Sequence, residues 1–129
     1  MPREVESPAE WIRYAKSDLA LSKGPTSLDV MLEMLCFHAQ QAVEKSIKAI
    51  LIAKSIPFPR MHHLDALIGL LPADVPMPPD EAEVVGLTEF AVTIRYHGLD
   101  EPVTEEEYRE AVRLAESVVR WAEDLLCNS

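Results

Sequence analysis

The sequence predicts an all-α protein, and three observations carry the prediction. Only 6% of the residues are aromatic, and there are four glycines in 129 residues. No Gly or Pro occurs between Ser27 and Lys54, and apolar residues recur at helical spacing through that stretch. Such a chain fills helix interfaces with Leu, Ile, Val and Ala rather than building a twisted sheet. The simplest arrangement is an antiparallel up-and-down bundle of four long helices plus one short helix. With 48% hydrophobic residues, one domain spanning 1–129 can bury a core that needs no metal or disulfide.

Ser7-Pro8-Ala9-Glu10 supplies a capping serine, a proline at the first helical position and a glutamate that reaches back. A helix therefore starts here and runs to about Lys23, where Gly24-Pro25 ends it. The long second helix spans Ser27 to about Lys54, with Leu28, Met31, Leu32, Met34, Leu35, Ala39, Val43, Ile47 and Ile50 among its core positions. Pro57 and Pro59 break the pattern. Leu64, Leu67, Ile68 and Leu71 define a short helix closed by Pro72, and a proline-rich connector runs to Pro79. Asp80 is placed to cap a fourth helix through Val84, Leu87, Phe90 and Ile94 to about Gly98. Thr104 with Glu107 forms a second capping box, opening a last helix through Tyr108, Val112, Ala115, Val119 and Leu125.

The formal net charge of −10 disfavours nonspecific nucleic-acid binding by bulk electrostatics, yet leaves room for a local basic site. Charge is segregated along the chain. Glutamates crowd 81–89 and 101–116, whereas Lys45, Lys48, Lys54 and Arg60 form a basic stretch. Cys36 and Cys127 lack metal-ligand spacing and read as reduced structural thiols. The acids Glu4 and Glu6 at the start, and the lack of any long apolar run, point to a cytoplasmic protein that does not enter a membrane.

Chemistry concentrates on the long helix. His38, Gln41, Lys45 and Lys48 fall within an arc of about 80°, while Ala39, Val43, Ser46 and Ile50 face the other way. Two lysines, a glutamine and a histidine on one face suit a phosphate together with a base or sugar, although such a row also fits a solvated stripe. Arg60, His62 and His63 enter the short helix. His62 reads as a capping or packing residue and His63 as solvent-facing, and adjacent histidines make a poor metal pair. Arg95-Tyr96-His97-Gly98 gathers a guanidinium, a phenol and an imidazole in one turn, fit for an anion or nucleotide contact or for complementing the helix dipole. No glycine-rich phosphate loop, CxxC pair, nucleophile elbow or HExxH motif is present. No cofactor or metal is expected.

These residues resemble the HEPN domains, the helical domains named from higher eukaryotes and prokaryotes nucleotide-binding. Trp11 with Tyr14-Ala15-Lys16-Ser17-Asp18-Leu19 is similar to the family's first helix, and Cys36 through Lys48 to its signature central helix. Pro59-Arg60-Met61-His62-His63-Leu64 is similar to its proline-to-His-Asp-Leu turn, with His63 in place of Asp. Arg95-Tyr96 matches its Arg-Tyr-Pro helix end, with His97 in place of Pro.

The resemblance implies an up-and-down bundle, usually dimeric, often encoded beside or fused to a small nucleotidyltransferase. Many relatives are toxin–antitoxin or defence ribonucleases that carry an arginine four to six residues before a histidine. None of His38, His62, His63 or His97 has an arginine at that distance. The expectation is therefore a non-catalytic homodimeric module that binds a nucleotide or RNA and partners a small nucleotidyltransferase. Its expected site comprises His38, Gln41, Lys45, Lys48, Arg95 and Tyr96, with His62 and His97 as accessories. Two alternatives stay open: a metal-independent ribonuclease toxin using Arg95 with His97 or His62, and a purely structural dimerisation bundle.

Overall fold

The first capping box forms as its sequence requires. In a computed structural model, which describes residues 7–24, 30–92 and 102–127, Ser7 has extended backbone and its Oγ accepts from the Glu10 N–H at 3.1 Å. Helix α1 (Pro8–Ser22) follows, with Ile12, Ala15, Asp18 and Ser22 buried. Gly24, at φ 112°, takes the left-handed turn that releases the chain.

The long helix α2 covers Leu32–Ala53. The predicted start at Ser27, together with Leu28, lies outside the described residues, and within them the helix begins later, after the extended Met31. Its second half is buried on nearly all sides, with Val43, Ile47, Ala49 and Leu51 fully enclosed. The helix ends where Ser55 turns left-handed and the Ile56 N–H reaches back to the Leu51 carbonyl at 2.9 Å, ahead of Pro57 and Pro59. Met31 and Met34, expected in the core, are instead exposed. They share the outward stripe of His38, Gln41 and Lys45, while Leu35 and Ala39 supply the buried one.

Helix α3 (Leu64–Gly69) buries Leu64, Leu67 and Ile68, and its first N–H is capped from a distance by Thr88 Oγ1 at 3.0 Å. The fourth helical segment runs as α4 (Glu81–Val85), a 3₁₀ turn at Gly86–Thr88 and α5 (Glu89–Val92). Its predicted end, Ile94 to Gly98, lies outside the described residues. Asp80 does stand at the N-cap of α4, but it is left-handed and makes no capping bond, because its carboxylate takes Arg113 Nη1 at 3.2 Å instead. Helix α6 (Glu105–Cys127) opens on the expected capping box, with Glu107 N donating to Thr104 Oγ1 at 3.0 Å.

The result is an all-helical bundle with no strand among the described residues. α2 sits at the centre, packed along both α1 and α6. Cross-links set the directions: Asp18 meets Lys45 and Trp11 meets Lys48, so α1 and α2 run antiparallel. Lys16 pairs with Glu123 and Lys23 with Glu116, so α6 also runs antiparallel to α1. Trp121 Nε1 donates to the Pro76 carbonyl at 3.1 Å and pins the proline-rich connector.

Tyr108 ties the last helix to the first, its hydroxyl donating to the Ser22 carbonyl at 2.7 Å. Burial, helped by the Cys36 thiol and Glu105, raises its pKa above the ordinary value near 10. The phenol therefore ionises more readily in the unfolded chain, and its contribution to stability is lost as pH rises through the folded value. Urea denaturation should show stability falling above about pH 10, and Tyr108→Phe should flatten that fall while costing about 1 kcal/mol at neutral pH. An alkaline loss of equal size in the variant would assign the titration to other groups.

Candidate functional site

Two carboxylates organise the α1–α2 face. Asp18 reaches it from α1, one turn beyond Tyr14, and Glu44 lies on α2 one turn before Lys48. Each carboxylate holds one imidazole and one ammonium. Asp18 Oδ1 lies 3.0 Å from His38 Nδ1, and Asp18 Oδ2 accepts from Lys45 Nζ at 2.6 Å. Glu44 Oε1 lies 2.9 Å from His62 Nδ1, and Glu44 Oε2 accepts from Lys48 Nζ at 3.0 Å.

An ionised carboxylate only accepts, so each histidine donates through Nδ1–H and presents Nε2 away from its carboxylate. Neither Nε2 has a partner among the described residues. Both imidazoles are thus oriented as acceptors, the geometry of a carboxylate–histidine pair that can take a hydrogen bond or a proton from a ligand.

A glutamine pair extends the network. Gln41 Nε2 donates to Gln40 Oε1 at 2.7 Å, and the buried Gln40 donates to Glu44 Oε1 at 3.2 Å and to the His62 carbonyl at 3.4 Å. His62 is thereby held through both side chain and backbone, which fixes the proline-rich turn against α2.

The two ammonium groups differ in access. Lys45 is partly exposed and lies 5.9 Å from the ring centre of Tyr14, which is 51% exposed. Lys48 is buried, at 7% exposure, with its ammonium 5.6 Å from the Trp11 ring and 5.5 Å from Phe58. Two aromatic faces and a carboxylate stabilise that cation out of water. The adjacent Trp11 Nε1 is buried with no acceptor among the described residues.

Of the residues read from the sequence, His38, Gln41, Lys45 and Lys48 line one side of α2 as expected, and His62 joins them through Glu44. Lys48 points inward and is committed to Glu44. His63 is exposed at the N-cap of α3 and makes no capping bond. Arg95, Tyr96 and His97 lie outside the described residues. Asp18, Gln40 and Glu44 were missed as organising groups, although Glu44 and Lys48 stand at the i, i+4 spacing of a helical ion pair.

Fold and site together define a helical bundle whose central helix carries a carboxylate-organised polar face. The chain belongs to the HEPN domain family, whose family model matches residues 8–125. The crystal structure of TT1696 from Thermus thermophilus is similar at 26% identity, with a TM-score of 0.79, covering 93% of this chain and 98% of that one. The crystal structure of ST0689, an archaeal HEPN homologue, shares the fold at 24% identity, with a TM-score of 0.71 and coverage of 94% and 98%. No functionally curated protein matches the chain.

The enclosed Glu44–Lys48 pair should behave as a coupled unit. Glu44→Ala leaves the ammonium without its carboxylate and should cost about 3–5 kcal/mol in urea denaturation. The double change Glu44→Leu with Lys48→Met should recover most of that loss, since neither charge is then left alone. Losses that simply add would show that the two groups act independently.

Proposed function

We propose that this HEPN domain is a non-catalytic module that binds a nucleotide or RNA on its α1–α2 face, acts as a homodimer and partners a small nucleotidyltransferase in a toxin–antitoxin-like pair. The observation that carries the binding reading is Asp18 holding His38 and Lys45 together beside the exposed ring of Tyr14. An oriented imidazole, the Gln41 amide and an exposed ring suit the hydrogen-bonding edge and flat face of a base or the hydroxyls of a ribose. Lys45 is the one partly exposed cation among the described residues of this face, and it can meet a single phosphate while keeping its bond to Asp18. Lys48 acts as the anchor of Glu44, and His62 is an accessory. Arg95 and Tyr96, which lie outside the described residues, are proposed from the sequence as phosphate and stacking contacts, with His97 accessory.

A homodimer has its own support on the same face. Tyr14 and Leu21 on α1, with Met31 and Met34 at the start of α2, are all exposed. Their helical spacing sets them around the Asp18–His38–Lys45 group, so apolar surface borders the polar centre. The structural alternative buries this face against a second copy and leaves no nucleotide site. No helix among the described residues is long and apolar enough to cross a membrane.

Titration with a panel of mononucleotides and short RNAs tests the reading. Saturable mononucleotide binding is expected, with no cleavage of the RNAs, and His38→Ala or Lys45→Ala should weaken that mononucleotide binding about tenfold or more with helicity retained. Cleavage relieved by His62→Ala would support the ribonuclease reading instead, and a dimer that binds none of the panel would support the structural one.

A further inference from the structure

The α1–α2 face is a poor grip for a chain of phosphates, because its cations are already matched. Lys48 and Glu44 side chains are only 9% and 3% exposed, and Lys45 sits 2.6 Å from the nearly buried Asp18. Exchanging such a carboxylate for a ligand phosphate means leaving a charge in the interior, so these pairs stay closed. Cations that can change partners must lie elsewhere.

They lie along the opposite edge of α1. Lys16 of α1, Lys23 at its C-terminal cap, and Arg109, Arg113 and Arg120 of α6 line one continuous groove, made of two adjoining depressions of about 400 and 240 Å³ that share Lys23, Glu116 and Arg120. Five cations thus line it against two carboxylates, Glu116 and Glu123. Glu105, Glu110 and Asp80, which pair with Arg109 and Arg113 from outside the lining, bring the local charge to balance. In a chain with a net charge of −10, the groove is thus a concentration of cations in a locally neutral stretch.

The groove's ion pairs are open to exchange. Arg109 and Glu105 are 74% and 65% exposed, and the Lys16–Glu123 and Lys23–Glu116 pairs also lie in water. Exposed pairs contribute little to stability and give up a partner at little cost. The carboxylates that hold Arg109 and Arg113, namely Glu105, Glu110 and Asp80, stand outside the groove lining. Arg120 is exposed and has no partner among the described residues, and the Ser117 hydroxyl beside it adds a neutral donor.

The spacing suits an extended ligand. Arg109, Arg113 and Arg120 form one stripe that spans eleven residues, about 16 Å of helix, more than the phosphates of a single nucleotide occupy. Val112 and Leu19, partly buried, supply apolar surface between the charges. Tyr108, its hydroxyl bound to Ser22, is buried and forms part of the groove floor.

We propose that the α1–α6 groove binds the phosphodiester backbone of a single-stranded polynucleotide. This extends the nucleotide reading above to a second, independent surface. Phosphates replace the exposed carboxylates on Arg109, Lys23 and Lys16, and Arg120 takes one directly. Recognition is of the backbone, so binding is strongly salt-dependent and tolerant of sequence.

Fluorescence anisotropy with a labelled oligouridylate and the matching oligothymidylate, followed across a salt series, tests this on the full chain. Arg109→Glu with Arg120→Glu changes only exposed side chains, and circular dichroism checks that the bundle is retained. The double variant should weaken binding about tenfold or more and reduce the log–log salt slope by about two. Mononucleotide binding at the α1–α2 face should be unchanged. Equal affinity for the two oligomers supports pure backbone recognition, and a preference for the ribo-oligomer supports it with an added sugar contact. Full binding by the folded double variant overturns the proposal, as does loss of oligomer binding on Lys45→Ala alone, which would place the polymer on the α1–α2 face. No oligomer binding by the wild type also overturns it, while leaving mononucleotide binding to be judged separately.

Discussion

The structure depends on keeping two carboxylates charged at the edge of a helical core. Asp18 and Glu44 are both buried where α1 or the turn after α2 covers the central helix. An isolated carboxylate there would be costly, and each is instead surrounded by an ammonium and an imidazole N–H. That requirement sets the register of α1 against α2 through Asp18, and fixes the position of the proline-rich turn through Glu44 and His62. The polar face of α2 is therefore part of the packing rather than a decoration upon it. Removing either carboxylate disturbs the fold and the site together.

The helices were legible because their ends are written in local chemistry. Ser7 with Glu10 and Thr104 with Glu107 form the boxes their spacing calls for, and the Pro57–Pro59 break falls just beyond the end of α2. Asp80 failed as a cap for a reason no local rule contains: Arg113, thirty-three residues away, competes for its carboxylate. Met31 and Met34 were misplaced because two stripes of α2 carry apolar residues, and only the packing of α1 and α6 decides which stripe is covered.

The polar row was legible as a row, but not as a network. His38, Gln41, Lys45 and Lys48 could be read from 3.6-residue geometry, whereas Asp18 comes from another helix and looked like one acid among 22. Glu44 was nearer to hand. Its i, i+4 relation to Lys48 is local, yet the same spacing on a solvated helix would mean little, and only burial makes the pair consequential. Burial also separates the chemical roles of the two lysines, which the sequence treats alike: Lys45 stays within reach of solvent beside Tyr14, and Lys48 is enclosed between Trp11 and Phe58. The same contrast divides the surface, leaving the α1–α2 face to hydrogen-bonding chemistry and the α1–α6 edge to exchangeable charge.

The most direct measurement is the protonation pattern of the histidine rings, by nitrogen–proton correlation NMR of labelled protein at a pH where the imidazoles are neutral. His38 and His62 should both carry the proton on Nδ1, each donated to its carboxylate, and Asp18→Ala and Glu44→Ala should release the preference at His38 and His62 respectively. A dominant Nε2–H form at both rings, unmoved by those substitutions, would contradict the claim that the buried carboxylates build the face.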